Sequence, residues 1–91
     1  LDVVRSAKGT LMVGFNRRFD PHFRAVRAEI DKGTVGAVEM VVITSRDPGA
    51  PPPDYIKRSG GIFRDMTIHD FDMARFLLGE DVAEVSAMAS V

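Results

Sequence analysis

The chain has 91 residues, 45% of them hydrophobic and 27% charged, and a formal net charge of −1, so it forms at most one small globular domain with a modest core. The near-neutral charge and the lack of any apolar run approaching about 20 residues argue against nucleic acid and membrane as partners, which leaves small polar ligands. There is no cysteine, which excludes disulfide and thiolate chemistry and fits a cytoplasmic location.

A short amphipathic helix and a buried strand are the first predicted elements. Asp2 to Lys8 is typical of a helix that Gly9 ends, and because the chain opens on such a helix without a methionine, we expect an internal fragment. Leu11 to Phe15 has the length and composition of a strand covered on both faces. Asn16 to Arg18 then follow at the carboxyl end of the strand, where open α/β sheets bind ligands. Alternatively, the paired arginines form a solvated or carboxylate-paired turn.

A capped helix and a long strand come next. Asp20 as N-cap and Pro21 at the first helical position predict a helix that ends at Gly33. Ala37 to Arg46 is rich in Val, Ile, Met and Thr, which predicts a strand. The segment from Pro48 to Pro53 is then an irregular connection that serves as a lid or as a spacer.

Two elements follow the prolines. Tyr55 and Lys57 either reach back over a site or decorate the surface, and their place in a polar connection favours the surface. Val82 to Val91 is predicted to form a further strand, with Val85, Ala87 and Ala89 on one face and Ser86, Met88 and Ser90 on the other. Between them lies the stretch from Gly60 to Gly79, which mixes ionisable and apolar residues at helical spacing.

That stretch holds the candidate chemistry. On a helix with Asp65 as the zero, His69 falls at about 40° and Asp72 at about −20°, so the three side chains share one stripe. An aspartate that accepts from one imidazole nitrogen raises the basicity of the other, as a general base for an alcohol proton requires. Two alternatives remain open: a structural role beside the helix dipole, or a metal pair, although a closed metal site needs three or four ligands.

Four stretches of the chain carry a resemblance to a known family. They are Val13 to Asp20, Thr44 to Pro48, Gly60-Gly61 with Asp65-x-x-x-His69-x-x-Asp72, and Ala74 to Gly79. Together they resemble the glucose-fructose oxidoreductase and inositol dehydrogenase superfamily (Gfo/Idh/MocA), with greatest similarity to its inositol 2-dehydrogenase branch. The resemblance implies an NAD-dependent enzyme that oxidises a secondary hydroxyl of myo-inositol or a similar polyol by hydride transfer. The alternatives are another sugar or polyol dehydrogenase of this superfamily, and a non-catalytic association module.

The resemblance also implies site residues and an incomplete cofactor site. His69 takes the hydroxyl proton and Asp65 orients it as the catalytic pair, while no metal is implied. The family's catalytic lysine lies outside this chain, and the sequence has no G-x-G-x-x-G turn, so the isolated chain is not expected to bind NAD. The remaining implied contacts are Asp47 and Asp72 for substrate hydroxyls, and Asn16 and Arg17 for the cofactor.

The expected fold class is α+β. Residues 1–19 are predicted to end a Rossmann dinucleotide-binding domain, and residues 20–91 to begin a substrate-binding domain that places the active-site helix against an antiparallel sheet. The predicted strands are too few to close that sheet, and an open edge offers unpaired backbone groups to another chain. We therefore expect a homo-oligomer joined through the sheet.

Overall fold

The computed structural model describes residues 1–90, and the elements in this range are helical. Within it, no residue lies in a β-strand, and no helix has the length and apolarity needed to span a bilayer. The elements in chain order are α1 (Asp2–Ser6), a 3₁₀-helix (Asn16–Phe19), α2 (Pro21–Asp31), α3 (Pro53–Ser59), α4 (Ile62–Asp65) and α5 (Ile68–Leu78).

The predicted α+β fold with an antiparallel sheet is wrong for the described residues. Leu11 to Phe15, Ala37 to Arg46 and residues 82–90 have no regular secondary structure, and Val91, the last residue of the third predicted strand, lies outside the described range. Within the described residues 1–90, the segment 37–46 makes no backbone–backbone hydrogen bond. A strand exists only when its backbone groups pair with a second strand, so β-branched composition alone does not produce one.

Local capping explains why α2 was predictable. Oδ1 of Asp20 accepts hydrogen bonds from the backbone N–H groups of His22 at 2.8 Å and Phe23 at 3.3 Å, and Pro21 occupies the first helical position. Gly33, just beyond the helix, has a φ of +75°, which favours glycine. The predicted helix with its N-cap is therefore confirmed.

The stretch from Gly60 to Gly79 is two helices instead of one. α4 ends at Asp65, and a turn at Met66 and Thr67 separates it from α5, which begins at Ile68. A helical wheel presumes an unbroken helix, so the single stripe predicted for Asp65, His69 and Asp72 does not apply across this break. Asp65 and His69 therefore belong to different helices.

The 3₁₀-helix packs against α5 through two ion pairs. Arg18 donates to both carboxylate oxygens of Asp72, from Nε to Oδ2 at 2.8 Å and from Nη2 to Oδ1 at 2.6 Å. This hydrogen bonding raises the pKa of Arg18. Its guanidinium also lies 5.5 Å from the ring centroid of Phe76. Beside it, Arg17 donates to Asp70. Both arginines are therefore paired with carboxylates of α5, and the cofactor contact of Arg17 stays a prediction.

α2 reaches the other end of α5 through Arg27. Its Nη1 donates to the carbonyl oxygens of Phe76 at 3.1 Å and Leu77 at 2.8 Å, which are among the carbonyls that a helix C-terminus leaves without an internal partner. Between these two anchors Met73 is only 2% exposed, and it is the one buried apolar side chain among residues 1–90. α5 is therefore the centre of the packed part of the chain.

The rest of the chain is open. The chain as a whole has a solvent-accessible surface of 8269 Å², whereas a folded monomer of this mass exposes about 5,200 Å². The radius of gyration is 16.5 Å, against about 12 Å for a compact domain of this length. Apolar side chains account for much of the exposed surface, including Val3, Met12, Met40, Val42 and Val85.

Candidate functional site

A cavity of about 500 Å³ lies between α3, α4 and the start of α5. It brings together four of the six predicted site residues, which come from four separate parts of the chain. Its lining combines apolar side chains with ionisable or hydroxyl groups, which suits a ligand with both C–H and hydroxyl surfaces. The polar lining residues are Arg17, Asp47, Tyr55, Ser59, Asp65 and His69, and the apolar ones are Pro51, Ile56, Ile62 and Met66.

Tyr55 binds the carboxylate of Asp65 inside this cavity. Its hydroxyl donates to Oδ1 of Asp65 at 2.5 Å, the length of a charge-assisted O–H···O⁻ bond. This hydrogen bond, followed by the negative charge of Asp65 and by burial, raises the pKa of Tyr55. Tyr55 is 45% exposed, as the sequence favoured, and it also lines the cavity.

Helix α3 explains why sequence reasoning missed Tyr55. The helix was not predicted, although its signals are present in the sequence: Pro53 in the first turn, Asp54 beside it, and Gly60 after the last turn with a φ of +87°. The run of prolines ahead of these residues favoured an irregular connection instead. Lys57, on the same helix, pairs with Asp54 at 2.9 Å on the exposed surface, as the sequence favoured.

His69 enters the same cavity from α5. Its Nδ1 is buried and has no hydrogen-bond partner among residues 1–90. Asp65 and His69 are thus neighbours in the cavity, but the hydrogen bond predicted between them is not formed in this arrangement. The described residues also contain no group of three side chains placed to hold a metal ion, which the metal alternative would require.

The two other predicted site residues lie outside the cavity. Asp72 is 6% exposed, and Arg18 engages both of its carboxylate oxygens. This ion pair places Asp72 in the packing between the 3₁₀-helix and α5, and its contact with a substrate hydroxyl stays a prediction. Asn16 begins the 3₁₀-helix and is exposed, while its neighbour Arg17 lines the cavity.

Comparison with known proteins shows which family this chain resembles. A model of the GFO/IDH/MocA C-terminal domain matches residues 23–91. Over all 91 residues the chain is 75% identical to an inositol 2-dehydrogenase of Rhizobium meliloti (strain 1021), of which it covers 28%. It is 50% identical over 74 residues to a scyllo-inositol 2-dehydrogenase (NAD(+)) of Bacillus subtilis (strain 168), a match that covers 81% of this chain and 22% of that relative.

A solved structure shows the same similarity in three dimensions. A crystal structure of a Sinorhizobium meliloti 1021 protein superposes with a TM-score of 0.79 at 79% sequence identity. The match covers 88% of this chain and 24% of the other. The chain therefore spans about a quarter of the length of the relatives it matches.

Proposed function

This chain belongs to the GFO/IDH/MocA family, and from that membership we propose that it supplies the proton-transfer site of an NAD-dependent dehydrogenase acting on myo-inositol or a similar polyol. The observation that carries the proposal is the single cavity that gathers Arg17, Asp47, Asp65 and His69. Relatives named inositol 2-dehydrogenase support the oxidoreductase class and the polyol substrate. The name of the Bacillus subtilis relative, which includes NAD(+), supports the cofactor.

Oxidation of a secondary alcohol removes a proton from the oxygen and a hydride from the carbon. His69 is the base in this cavity that suits the proton, because a neutral imidazole accepts a proton near physiological pH. Asp65 accepts from the second ring nitrogen during the reaction and stabilises the imidazolium that forms. Asp47, which also lines the cavity, accepts from a neighbouring substrate hydroxyl. The bound NAD supplies the hydride acceptor.

Arg17 and Asn16 offer polar groups for the nicotinamide end of the cofactor. Arg17 lines the cavity and its side chain remains 33% exposed although it is paired with Asp70, so it has donors left for a polar group. Asn16, the preceding residue, is exposed and offers an amide, although it does not line the cavity. The sequence contains no G-x-G-x-x-G phosphate-binding turn, and the contact proposed for these two residues is with the nicotinamide end.

Asp65→Asn tests the proposed site in the full-length protein that carries this chain. We expect turnover of myo-inositol with NAD to fall by about 10²-fold or more, because the amide cannot stabilise a charged imidazole. Steady-state kinetics would measure the loss, with Asp54→Asn as the matched control because Asp54 is exposed on α3. Near-normal turnover of Asp65→Asn, or an unaltered protein that oxidises no inositol, would contradict the proposal.

The open surface supports a second proposal, that the isolated 91-residue chain self-associates. The chain exposes about 3,000 Å² more surface than a folded monomer of its mass. This excess is larger than the roughly 1,600 Å² that a standard protein interface buries. Because the described residues form no sheet, we expect the chains to associate through exposed apolar side chains and not through a sheet edge.

Sedimentation equilibrium of the isolated chain would show this association as a dimer or larger species. Lysine at both Met40 and Val42, which are highly exposed, should weaken it. Calorimetric titration should detect no NAD binding, since the phosphate-binding turn is lacking. A monodisperse monomer would refute the association, and micromolar NAD affinity would refute the expected lack of cofactor binding.

A further inference from the structure

Tyr55 lines the cavity, but the proposed proton transfer gives it no role. Among residues 1–90, its hydroxyl makes the side-chain hydrogen bond that joins α3 to α4, through Oδ1 of Asp65 at 2.5 Å. The other polar side chains of α3 bond within that helix or just beyond its end, as Lys57 does with Asp54 and Ser59 with Ile56 and Gly61. The phenol is therefore directed at one carboxylate oxygen of the proposed catalytic pair.

Asp65 has a second carboxylate oxygen that Tyr55 does not occupy. A carboxylate accepts at both oxygens, and Tyr55 takes only Oδ1. His69 also lines the cavity, and its buried Nδ1 has no hydrogen-bond partner among residues 1–90. Hydrogen bonds between catalytic groups are often long in the absence of substrate and tighten when substrate binds. Oδ2 is thus the oxygen left to receive His69.

We propose that Tyr55 is a positioning residue that acts through Asp65: it holds Oδ1, fixes the carboxylate in the cavity, and leaves Oδ2 for Nδ1 of His69 during the reaction. This inference rests on the proposed function. It differs from a direct contact between Tyr55 and the substrate, and from a tether that only keeps α3 in place. Each of these roles has different kinetic consequences.

Tyr55→Phe in the full-length protein separates the three roles, because it removes the hydroxyl and keeps the ring. A positioning role predicts a fall in kcat of about 10- to 100-fold, the effect of losing one hydrogen bond to a charged group, with KM for myo-inositol changed by less than about 3-fold. The double variant Tyr55→Phe/Asp65→Asn should be no slower than Asp65→Asn alone, since both changes disable one unit. Lys57→Gln, on the exposed side of α3, is the control and should change neither constant.

A spectroscopic measurement tests the contact without relying on turnover. With ¹³Cζ-labelled tyrosine, the resonance that disappears in Tyr55→Phe belongs to Tyr55. It should titrate above the ordinary tyrosine value of about 10, and Asp65→Asn should bring it back to that value. A Tyr55 resonance that titrates at the ordinary value in the unaltered protein would overturn the proposal.

The kinetic outcomes also discriminate. A higher KM at unchanged kcat would make Tyr55 a substrate contact, and additive losses in the double variant would make it a tether, so either result overturns the positioning role. Unchanged kinetics of Tyr55→Phe in an active protein would overturn this inference alone. An unaltered protein that oxidises no inositol, with Tyr55 still titrating high, would instead overturn the proposed function and the role of Tyr55 in it.

Discussion

Replacing His69 by alanine in the full-length protein is expected to lower turnover of myo-inositol by about 10²- to 10⁴-fold. His69 is the only imidazole in the cavity, and the carboxylates beside it are weaker bases for an alcohol proton. The affinity for NAD should stay nearly unchanged, because His69 acts on the substrate hydroxyl. Single-turnover and steady-state kinetics measure the first effect, and a calorimetric titration with NAD measures the second.

The chain contains a matched control for this change. His22 is the only other histidine, and it lies exposed on α2 away from the cavity. His22→Ala should leave both constants unaltered. Should His69→Ala retain turnover within about 3-fold of the unaltered protein, the imidazole has a structural role and the proposed mechanism fails.

The largest effect on stability is expected from Arg18→Met. The variant keeps an apolar stem against Phe76 but leaves the carboxylate of Asp72, whose side chain is 5% exposed, without a partner. The Arg18 side chain is itself 39% exposed, so solvent screens part of this ion pair and its loss costs about 1–3 kcal/mol. Hydrogen exchange of the amides in α5 should therefore become about 10-fold faster or more, since the 3₁₀-helix loses its ion pair with α5.

Two further variants show whether the cause is the unpaired charge. Arg75→Met breaks an ion pair on the same helix whose partner, Asp81, is 85% exposed, and an exposed pair contributes only about 0–1 kcal/mol. Arg18→Met/Asp72→Leu removes both charges and should recover most of the protection, because an apolar pair can replace a buried ion pair. Equal exchange in Arg18→Met and Arg75→Met would contradict the importance of the buried pair.

The sequence by itself determined the features that depend on neighbouring residues. The helix that starts at Asp20 and Pro21 was predictable because capping bonds join residues two or three positions apart. The family was recognisable because Asp65-x-x-x-His69-x-x-Asp72 is a contiguous pattern, and the match of residues 23–91 to the GFO/IDH/MocA C-terminal domain confirms it. The signals for α3 were local as well, but the prolines before it obscured them.

The tertiary structure decided the features that depend on residues far apart in the chain. The predicted strands do not form within residues 1–90 because the β propensity of 37–46 has no second strand to pair with. Arg18 is close to Asp72 in space and Tyr55 is close to Asp65, so Asp72 joins the packing of α5 while Asp65 lines the cavity. Helical spacing placed both carboxylates on one stripe, and only burial and a specific donor distinguish them.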